Sequence, residues 1–242
     1  MRLDVYLATK GLVDSRTDAK KFVVDGAVTV NGVIVNKPSY DILGDEVVLV
    51  DKSGKRFVSR GGLKLEAALD AFGIDVTGML ALDIGASSGG FTDCLLQRGA
   101  SKVIAVDAGS GQMAEALRQD KRVVVIENYN ARYMSPEDFH FIPDIAVMDV
   151  SFISAKMIFS SVNSVLPSGG HFVCLIKPQF EVGKKGLNKK GIVKNDSLRH
   201  SAVKNVIEFA DCCSFELIDY IQSPITGGDG NIEYLAYFRK RA

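Results

Sequence analysis

A glycine-rich turn directly after an apolar run is the part of this sequence best suited to hold a ligand. Residues 79–84 suit a buried parallel strand. Glycines in the turn let the backbone approach a ligand, and the first N–H groups of a helix predicted over 91–98 would face it. The pattern predicts a nucleotide-like ligand, with contacts from Asp83, Gly85, Ala86, Ser87, Gly89, Gly90 and Phe91.

The turn departs from two common nucleotide-binding motifs. A dinucleotide fingerprint needs a second glycine where Ser87 stands, and a Walker loop needs Gly-Lys-Ser or Gly-Lys-Thr. Residues 83–92 instead resemble the D-x-G-x-x-x-G-G-F-T signature of S-adenosylmethionine-dependent methyltransferases. Asp107 ends the next predicted strand, where an acidic residue can bind two ribose hydroxyls, and we favour this role over a simple loop start. The resemblance adds Asn130 to the cofactor contacts.

Charged residues also stand at the ends of apolar strands, where a core strand alone would not require them. Asp149 and Lys177 each close such a strand, and Glu233 is predicted to open the last one. With Lys64 from a preceding helix, they resemble the Lys-Asp-Lys-Glu tetrad of ribose 2'-O-methyltransferases, in the same order.

The tetrad resemblance implies a role for each residue. Neutral Lys177 would take the proton of a ribose hydroxyl as that oxygen attacks a sulfonium methyl group. Burial and the like charge of Lys64 would favour the neutral form. Asp149 and Glu233 would orient the lysines and substrate and offset the positive charge, and no metal is required.

Alternating strand and helix patterns predict how these residues are positioned. Apolar runs near 79–84, 102–107, 122–127, 144–149 and 171–176, with helical patterns between them, indicate a doubly wound parallel sheet. A helix over 196–213 precedes two strands, 215–222 and 232–238, which would form an antiparallel pair. The fold class is therefore α/β: a Rossmann-like class I methyltransferase sheet with an antiparallel last strand.

Residues 1–50 predict a separate, small α+β domain. Two short helices, 3–10 and one capped by Ser15 that ends near Asp25, precede a hairpin with an Asn31-Gly32 turn and a strand over 46–50. The sequence motifs R-L-D at 2–4 and V-x-V-N-G at 28–32 resemble those of the alpha-L RNA-binding module. The resemblance implies RNA contacts from Arg2, Arg16, Lys20 and Lys21.

A polar, basic stretch over 51–59 reads as a linker, which places the methyltransferase domain at 60–242. A second basic segment follows Lys177. Residues 177–204 contain eight Lys or Arg and two acids, a local net charge of +6 in a chain with 29 basic and 29 acidic residues. Phosphate contacts supply much of nucleic-acid affinity, so we expect RNA contacts there and at the domain start, from Arg60, Lys184 and Lys185.

Composition excludes several other classes. No apolar run reaches the roughly 18 residues of a membrane span, and the N-terminus does not resemble a secretory signal, so we expect a cytoplasmic protein. The four cysteines form no C-x-x-C pair and the three histidines are scattered. We therefore predict no metal site.

Taken whole, the chain resembles the haemolysin-A type (TlyA-like) family, which joins an alpha-L module to an FtsJ-type methyltransferase domain; S-R-G-G-x-K-L at 59–65 is a further shared word. The resemblance implies methylation of cytidine 2'-hydroxyls in ribosomal RNA, with S-adenosylmethionine as cofactor and ribosomal RNA or subunits as partner. Three alternatives remain: an RNA-binding protein without catalysis, a membrane-active haemolysin, and an NAD-linked oxidoreductase. The target nucleotide and the oligomeric state stay open.

Overall fold

The computed structural model describes residues 1–51 and 56–242. Its N-terminal part packs α1 (Leu3–Thr9) and α2 (Arg16–Val24) on a small antiparallel sheet of β1 (Val28–Val30), β2 (Val33–Ile34) and β3 (Val48–Val50), in the order β2-β1-β3. Ser15 caps α2, as predicted, because its Oγ accepts the Asp18 N–H at 3.0 Å. Asn31 and Gly32 both have positive φ, which confirms the tight hairpin turn.

A seven-stranded sheet, flanked by helices, forms the larger part. Its strands run in the spatial order β6-β5-β4-β7-β8-β10-β9; the first five in that order are parallel, and β10 is antiparallel to both β8 and β9. The predicted α/β class is confirmed. In chain order the elements are α3 (Gly61–Phe72), β4 (Leu80–Ile84), α4 (Gly90–Gln97), β5 (Lys102–Val106), α5 (Glu115–Arg118), β6 (Val123–Ile126), β7 (Ile145–Met148), α6 (Lys156–Val165), β8 (His171–Ile176), α7 (Asp196–Cys212), β9 (Phe215–Gln222) and β10 (Tyr234–Lys240).

Two details of the predicted pattern were wrong. No α-helix links β6 to β7; that connection holds two single 3-10 turns, because asparagines and Pro136 interrupt it. Glu233 does not open the last strand, which begins at Tyr234. The Gly-rich connection closes on itself, since the Gly227 N–H donates to the Asn231 carbonyl, and the Glu233 carbonyl accepts a hydrogen bond from the Ser223 N–H just after β9.

Part of the predicted linker packs into the larger core. Phe57 is only 5% exposed and lies against α3, where a Cβ on Gly62 would stand 2.3 Å from its ring. Residues 52–55 of that linker lie outside the described residues. The small domain contacts the large one through Gly26, which lies against Leu63, and through Ile34, which packs on the large core.

Candidate active site

Strand order brings the four tetrad residues to one edge of the sheet. Asp149 follows β7 and Lys177 follows β8, so both lie at the carboxyl ends of neighbouring parallel strands. Because β10 runs antiparallel, and Tyr234 pairs with Ile176, Glu233 lies at the same edge. Lys64 enters from the first turns of α3.

The tetrad forms two ion pairs. The Lys64 Nζ lies 2.6 Å from the Glu233 Oε2, and the Lys177 Nζ lies 2.5 Å from the Asp149 Oδ1. Lys64 and Glu233 are only 8% and 2% exposed, so this pair is almost fully desolvated. Each lysine therefore has a carboxylate of its own, and a neighbouring carboxylate favours the charged form of a lysine, in opposition to burial and to the like charge of the other lysine.

Two further side chains hold the ion pairs, and the sequence did not single them out. The Lys177 Nζ donates to the Ser151 Oγ at 2.7 Å. The Gln179 Nε2 donates to the Glu233 Oε1 at 3.0 Å, so both oxygens of that carboxylate have donors. Ser151 lies in the motif M-D-V-S-F at 148–152 and Gln179 in the motif I-K-P-Q-F-E at 176–181. Each motif also contains a predicted tetrad residue, and this proximity in sequence was the signal that could have identified Ser151 and Gln179.

The glycine-rich turn forms the neighbouring wall of the tetrad cleft. A cavity of about 260 Å³ is lined by Lys64, Asp149 and Lys177 on one side and by residues 85–88, 90 and 91 on the other. Gly85 has φ +81°, and a Cβ there would stand 2.6 Å from the Asp149 carbonyl oxygen. Gly89 has φ +93°, and a Cβ there would stand 2.3 Å from Leu117. The turn therefore requires glycine at both positions.

Two aspartates, Asp83 and Asp107, make hydrogen bonds that hold the glycine-rich turn and the start of α4 in place. Asp83 is fully buried; its Oδ2 accepts the Thr92 hydroxyl at 2.6 Å, while its Oδ1 has no hydrogen-bond partner among the described residues. Burial raises the pKa of Asp83 to about 7. The Asp107 carboxylate accepts the N–H groups of Ser87 and Gly109 at 2.7 and 2.6 Å. Asp107 thus fastens the turn to the end of β5.

A second cavity, of about 470 Å³, continues from the turn toward β5 and β6. Gly85, Ser87 and Asp149 line this cavity as well as the tetrad cleft, so the two spaces meet at the turn. Asp107 and Asn130 lie on its wall. Ala86, Gly90 and Phe91 line the tetrad cleft. The other two predicted cofactor residues, Asp83 and Gly89, line neither cavity.

Phe152 is an aromatic residue at the rim that the sequence did not single out as functional. It is 92% exposed and has φ +64°, a left-handed conformation that side chains rarely adopt. Its ring lies 5.4 Å from that of Phe180, and it borders the second cavity beside Ser151. Packing does not account for an exposed phenylalanine held in a strained conformation, so it is a candidate contact for a ligand.

The predicted RNA-binding residues occupy several surfaces. Arg2 and Arg16 are half exposed, but both guanidinium groups also contact the buried Asp4 at 3.0 Å. The hydrogen bonds from these two arginines lower the pKa of Asp4 to about 2, and the bond from Arg2 makes the larger contribution. Arg60 lines the tetrad cleft. Lys20 and Lys21 on α2, and Lys184 and Lys185 after β8, are exposed.

Family profiles match both parts of the chain. Residues 1–48 match the S4 domain, and residues 57–240 match the FtsJ-like methyltransferase. The chain belongs to the FtsJ-like methyltransferase family. The fold and the resemblance predicted from the sequence are thereby confirmed, while the roles of individual site residues stay predictions.

Relatives match this FtsJ-like methyltransferase over nearly its whole length. Hemolysin A of Brachyspira hyodysenteriae is 44% identical over 98% of this chain and 99% of its own. The 16S/23S rRNA (cytidine-2'-O)-methyltransferase TlyA of Mycobacterium tuberculosis is 39% identical over 98% and 89%. A solved structure assigned as a hemolysin from Streptococcus thermophilus is 43% identical, with a TM-score of 0.77 over 100% of this chain and 88% of that one.

More distant structures cover about three quarters of the chain, 75% and 72% in two cases. Two S-adenosylmethionine-dependent methyltransferases that share 17% and 16% of the sequence align at TM-scores of 0.56 and 0.53, which shows the fold. Within residues 1–51 and 56–242, no helix is long and apolar enough to cross a membrane. The same ranges contain no group of three His, Cys, Asp or Glu placed to hold a metal ion.

Proposed function

We propose that this protein transfers a methyl group from S-adenosylmethionine to the 2'-hydroxyl of a ribose, a cytidine in ribosomal RNA. The observation that carries the proposal is the pair of lysine–carboxylate contacts in a cleft whose other wall is the glycine-rich turn. The substrate follows from the relatives, since one of them is named a 16S/23S rRNA (cytidine-2'-O)-methyltransferase.

The residues around the turn fit such a cofactor. The backbone of the turn lines the cleft at Gly85 and Gly90, and the buried Oδ1 of Asp83 is an acceptor that the described residues leave unused. Asp107 and Asn130 line the adjoining cavity, where the nucleoside would lie. When bound, the cofactor supplies an electrophilic methyl group.

The tetrad supplies the proton transfer. Once Lys177 has released its own proton, its neutral amine accepts the proton of the 2'-hydroxyl while that oxygen bonds to the methyl carbon and the bond from that carbon to the sulfonium sulfur breaks. The products would be the methylated ribose, the thioether S-adenosylhomocysteine and a protonated Lys177. Asp149 and Ser151, at 2.5 and 2.7 Å, fix the direction of that nitrogen. The Lys64 ammonium, held by Glu233, offsets negative charge that develops on the ribose oxygen.

Two basic regions would hold the RNA. The S4 domain presents Arg2, Arg16, Lys20 and Lys21, and the segment after β8 presents Lys184 and Lys185 near the end of the strand that carries Lys177. In this proposal residues 1–50 bind RNA and residues 60–242 bind cofactor and perform the chemistry. A 2'-hydroxyl distinguishes RNA from DNA, so the module and the reaction select the same polymer.

The test is transfer of labelled methyl from S-adenosylmethionine to small- and large-subunit preparations, followed by nucleoside analysis. We expect 2'-O-methylcytidine from the wild type and a loss of 100-fold or more in rate for Lys177→Ala, because a general base contributes about 10²–10⁴. Lys102→Ala, an exposed lysine at the opposite edge of the sheet, is the matched control. Cofactor binding without labelled RNA would instead favour a binding protein without catalysis.

A further inference from the structure

The connection between β9 and β10 touches the catalytic carboxylate directly. A Cβ on Gly227 would stand 2.5 Å from the Glu233 Oε1, so the bare backbone of this loop lies against the carboxylate. Glu233 in turn holds the Lys64 ammonium at 2.6 Å. A shift of the loop at Gly227 therefore moves Glu233, and with it the charge that Lys64 presents to the cleft.

The small domain is hydrogen-bonded to the same loop at Thr226, the residue before Gly227. The Asn36 Nδ2 donates to the Thr226 carbonyl oxygen at 3.2 Å and to its hydroxyl oxygen at 3.3 Å. The Thr226 hydroxyl also lies 3.3 Å from the Asn36 Oδ1, to which it can donate. Asn36 follows β2, so it belongs to the domain predicted to bind RNA. The relative position of the two domains is thus linked to Gly227 by a single peptide unit.

The basic segment after β8 is hydrogen-bonded to the other end of the loop, at Asn231. Asn231 is only 1% exposed, and its Oδ1 accepts the Val193 N–H at 3.1 Å. Its Nδ2 donates to the Gly191 carbonyl, also at 3.1 Å. Both partners lie between Lys190 and Lys194 in the basic segment, and the Asn231 carbonyl accepts the Gly227 N–H at 2.9 Å.

We propose that loop 225–231 couples RNA binding to catalysis, with Asn36 and Asn231 as positioning residues. The two basic regions are fastened to the loop by one asparagine each, and the loop is fastened to Glu233. RNA that holds the two regions in the arrangement described above keeps the Lys64–Glu233 pair in its place at the cleft, so the chemical step depends on a correctly docked substrate. This inference rests on the proposed function and adds a dependence of the chemical step on the domain contact.

The test measures single-turnover methyl transfer at saturating cofactor and RNA, together with the two dissociation constants. For Asn36→Ala we expect the saturated rate to fall about tenfold while both dissociation constants change less than twofold. Asn36→Asp keeps an acceptor for the Thr226 hydroxyl and should recover part of the rate. Asn163→Ala, the same substitution at a half-buried position on α6, is the control for a general effect on folding.

Each other outcome has a distinct meaning. If Asn36→Ala weakens RNA binding and leaves the saturated rate unchanged, the small domain only captures RNA and the coupling is overturned. The same conclusion follows if Asn36→Ala behaves like Asn163→Ala. If the wild type itself labels no RNA, the proposed function fails, and that result is separate from any difference between the variants.

Discussion

The two lysine–carboxylate pairs differ in how far they are removed from water. Glu233 and Lys64 are nearly buried, whereas the Asp149 side chain keeps about a fifth of its exposure beside Lys177. Attraction between charges is stronger where water is excluded, but a desolvated charge is also costly to leave unpaired. The two lysine side chains are almost equally buried, at 9% and 10% exposure, so the pairs differ through their carboxylates. The Lys64–Glu233 pair therefore contributes a fixed geometry, and the Lys177–Asp149 pair is the one that is open to the cleft on its carboxylate side.

Phe152 offers a clear contrast between stability and function. A left-handed conformation costs an L-residue about 1–2 kcal/mol, so Phe152→Gly should be more stable to urea than Phe152→Ala by about 1 kcal/mol. If the exposed ring stacks on a base of the substrate, both variants should raise the KM for RNA about tenfold, since such stacking contributes about 1–3 kcal/mol. Phe152→Tyr retains the ring and should bind RNA normally. An unchanged KM for RNA in Phe152→Ala would show that the Phe152 ring does not stack on a base of the substrate.

At the scale of elements, the turn after β4 joins the cofactor wall to the tetrad. A Cβ on Gly85 would stand 2.6 Å from the Asp149 carbonyl oxygen, so the backbones of the turn and of the residue after β7 lie against each other without a side chain between them. Asp107 fixes the other side of the turn through the Ser87 N–H. A change in this turn should therefore act on cofactor binding and on Asp149 together.

Gly85→Ala tests this contact. A Cβ would meet the Asp149 carbonyl at 2.6 Å, so we expect S-adenosylmethionine affinity to fall at least tenfold by calorimetry and the methyl-transfer rate to fall further. Gly111→Ala is the matched control, because Gly111 also has positive φ but nothing lies within 4 Å of its Cβ position. Equal losses in the two variants would assign the effect to backbone strain rather than to the clash.

Asp83 on β4 makes stability depend on pH. Burial raises its pKa from 3.8 to about 7, so the folded state binds more protons than the unfolded state between those values. Its contribution to stability is therefore present below pH 4 and is lost as the pH rises through 7, by at most about 4 kcal/mol. Relative to Asp83→Asn, the wild type should lose urea stability from pH 5 to pH 8. Parallel curves would show that Asp83 does not titrate in this range.

Charge is distributed unevenly over the whole molecule. The chain is formally neutral, with 29 basic and 29 acidic residues, yet the segment 177–204 carries a net charge of +6. This segment begins at the carboxyl end of β8, beside the tetrad cleft. An overall neutral protein can therefore still bind a polyanion at the face that carries the chemistry.

Removing Lys184 and Lys185 together should weaken RNA binding without slowing the saturated reaction. Each lost phosphate contact reduces the slope of log K against log salt concentration, so the double alanine variant should show a slope smaller by about 1.5. The control is the double variant Lys102→Ala with Lys121→Ala. These two exposed lysines lie at the start of β5 and just before β6, at the amino ends of the parallel strands and opposite the edge that carries the tetrad. An unchanged slope would place the RNA elsewhere on the molecule.

The sequence by itself determined the elements and the positions where polar residues end them. An apolar run such as 79–84 is stable only as a strand that is buried between two layers of helices. The Asn31-Gly32 turn and the Ser15 cap could be predicted because each depends only on atoms that are close in sequence. Where local signals were weak, the prediction was wrong: the connection from β6 to β7 is not helical, and β10 begins one residue after Glu233.

Only the tertiary structure decided which side chains meet. The pairing of Lys64 with Glu233 joins residues that lie 169 positions apart, and it depends on the antiparallel register of β10 against β8. The same holds for Ser151 on Lys177, Gln179 on Glu233, and Asn36 on Thr226. Such contacts follow from how strands are ordered and how domains dock, and these are set by the sum of many packing contacts rather than by the residues concerned.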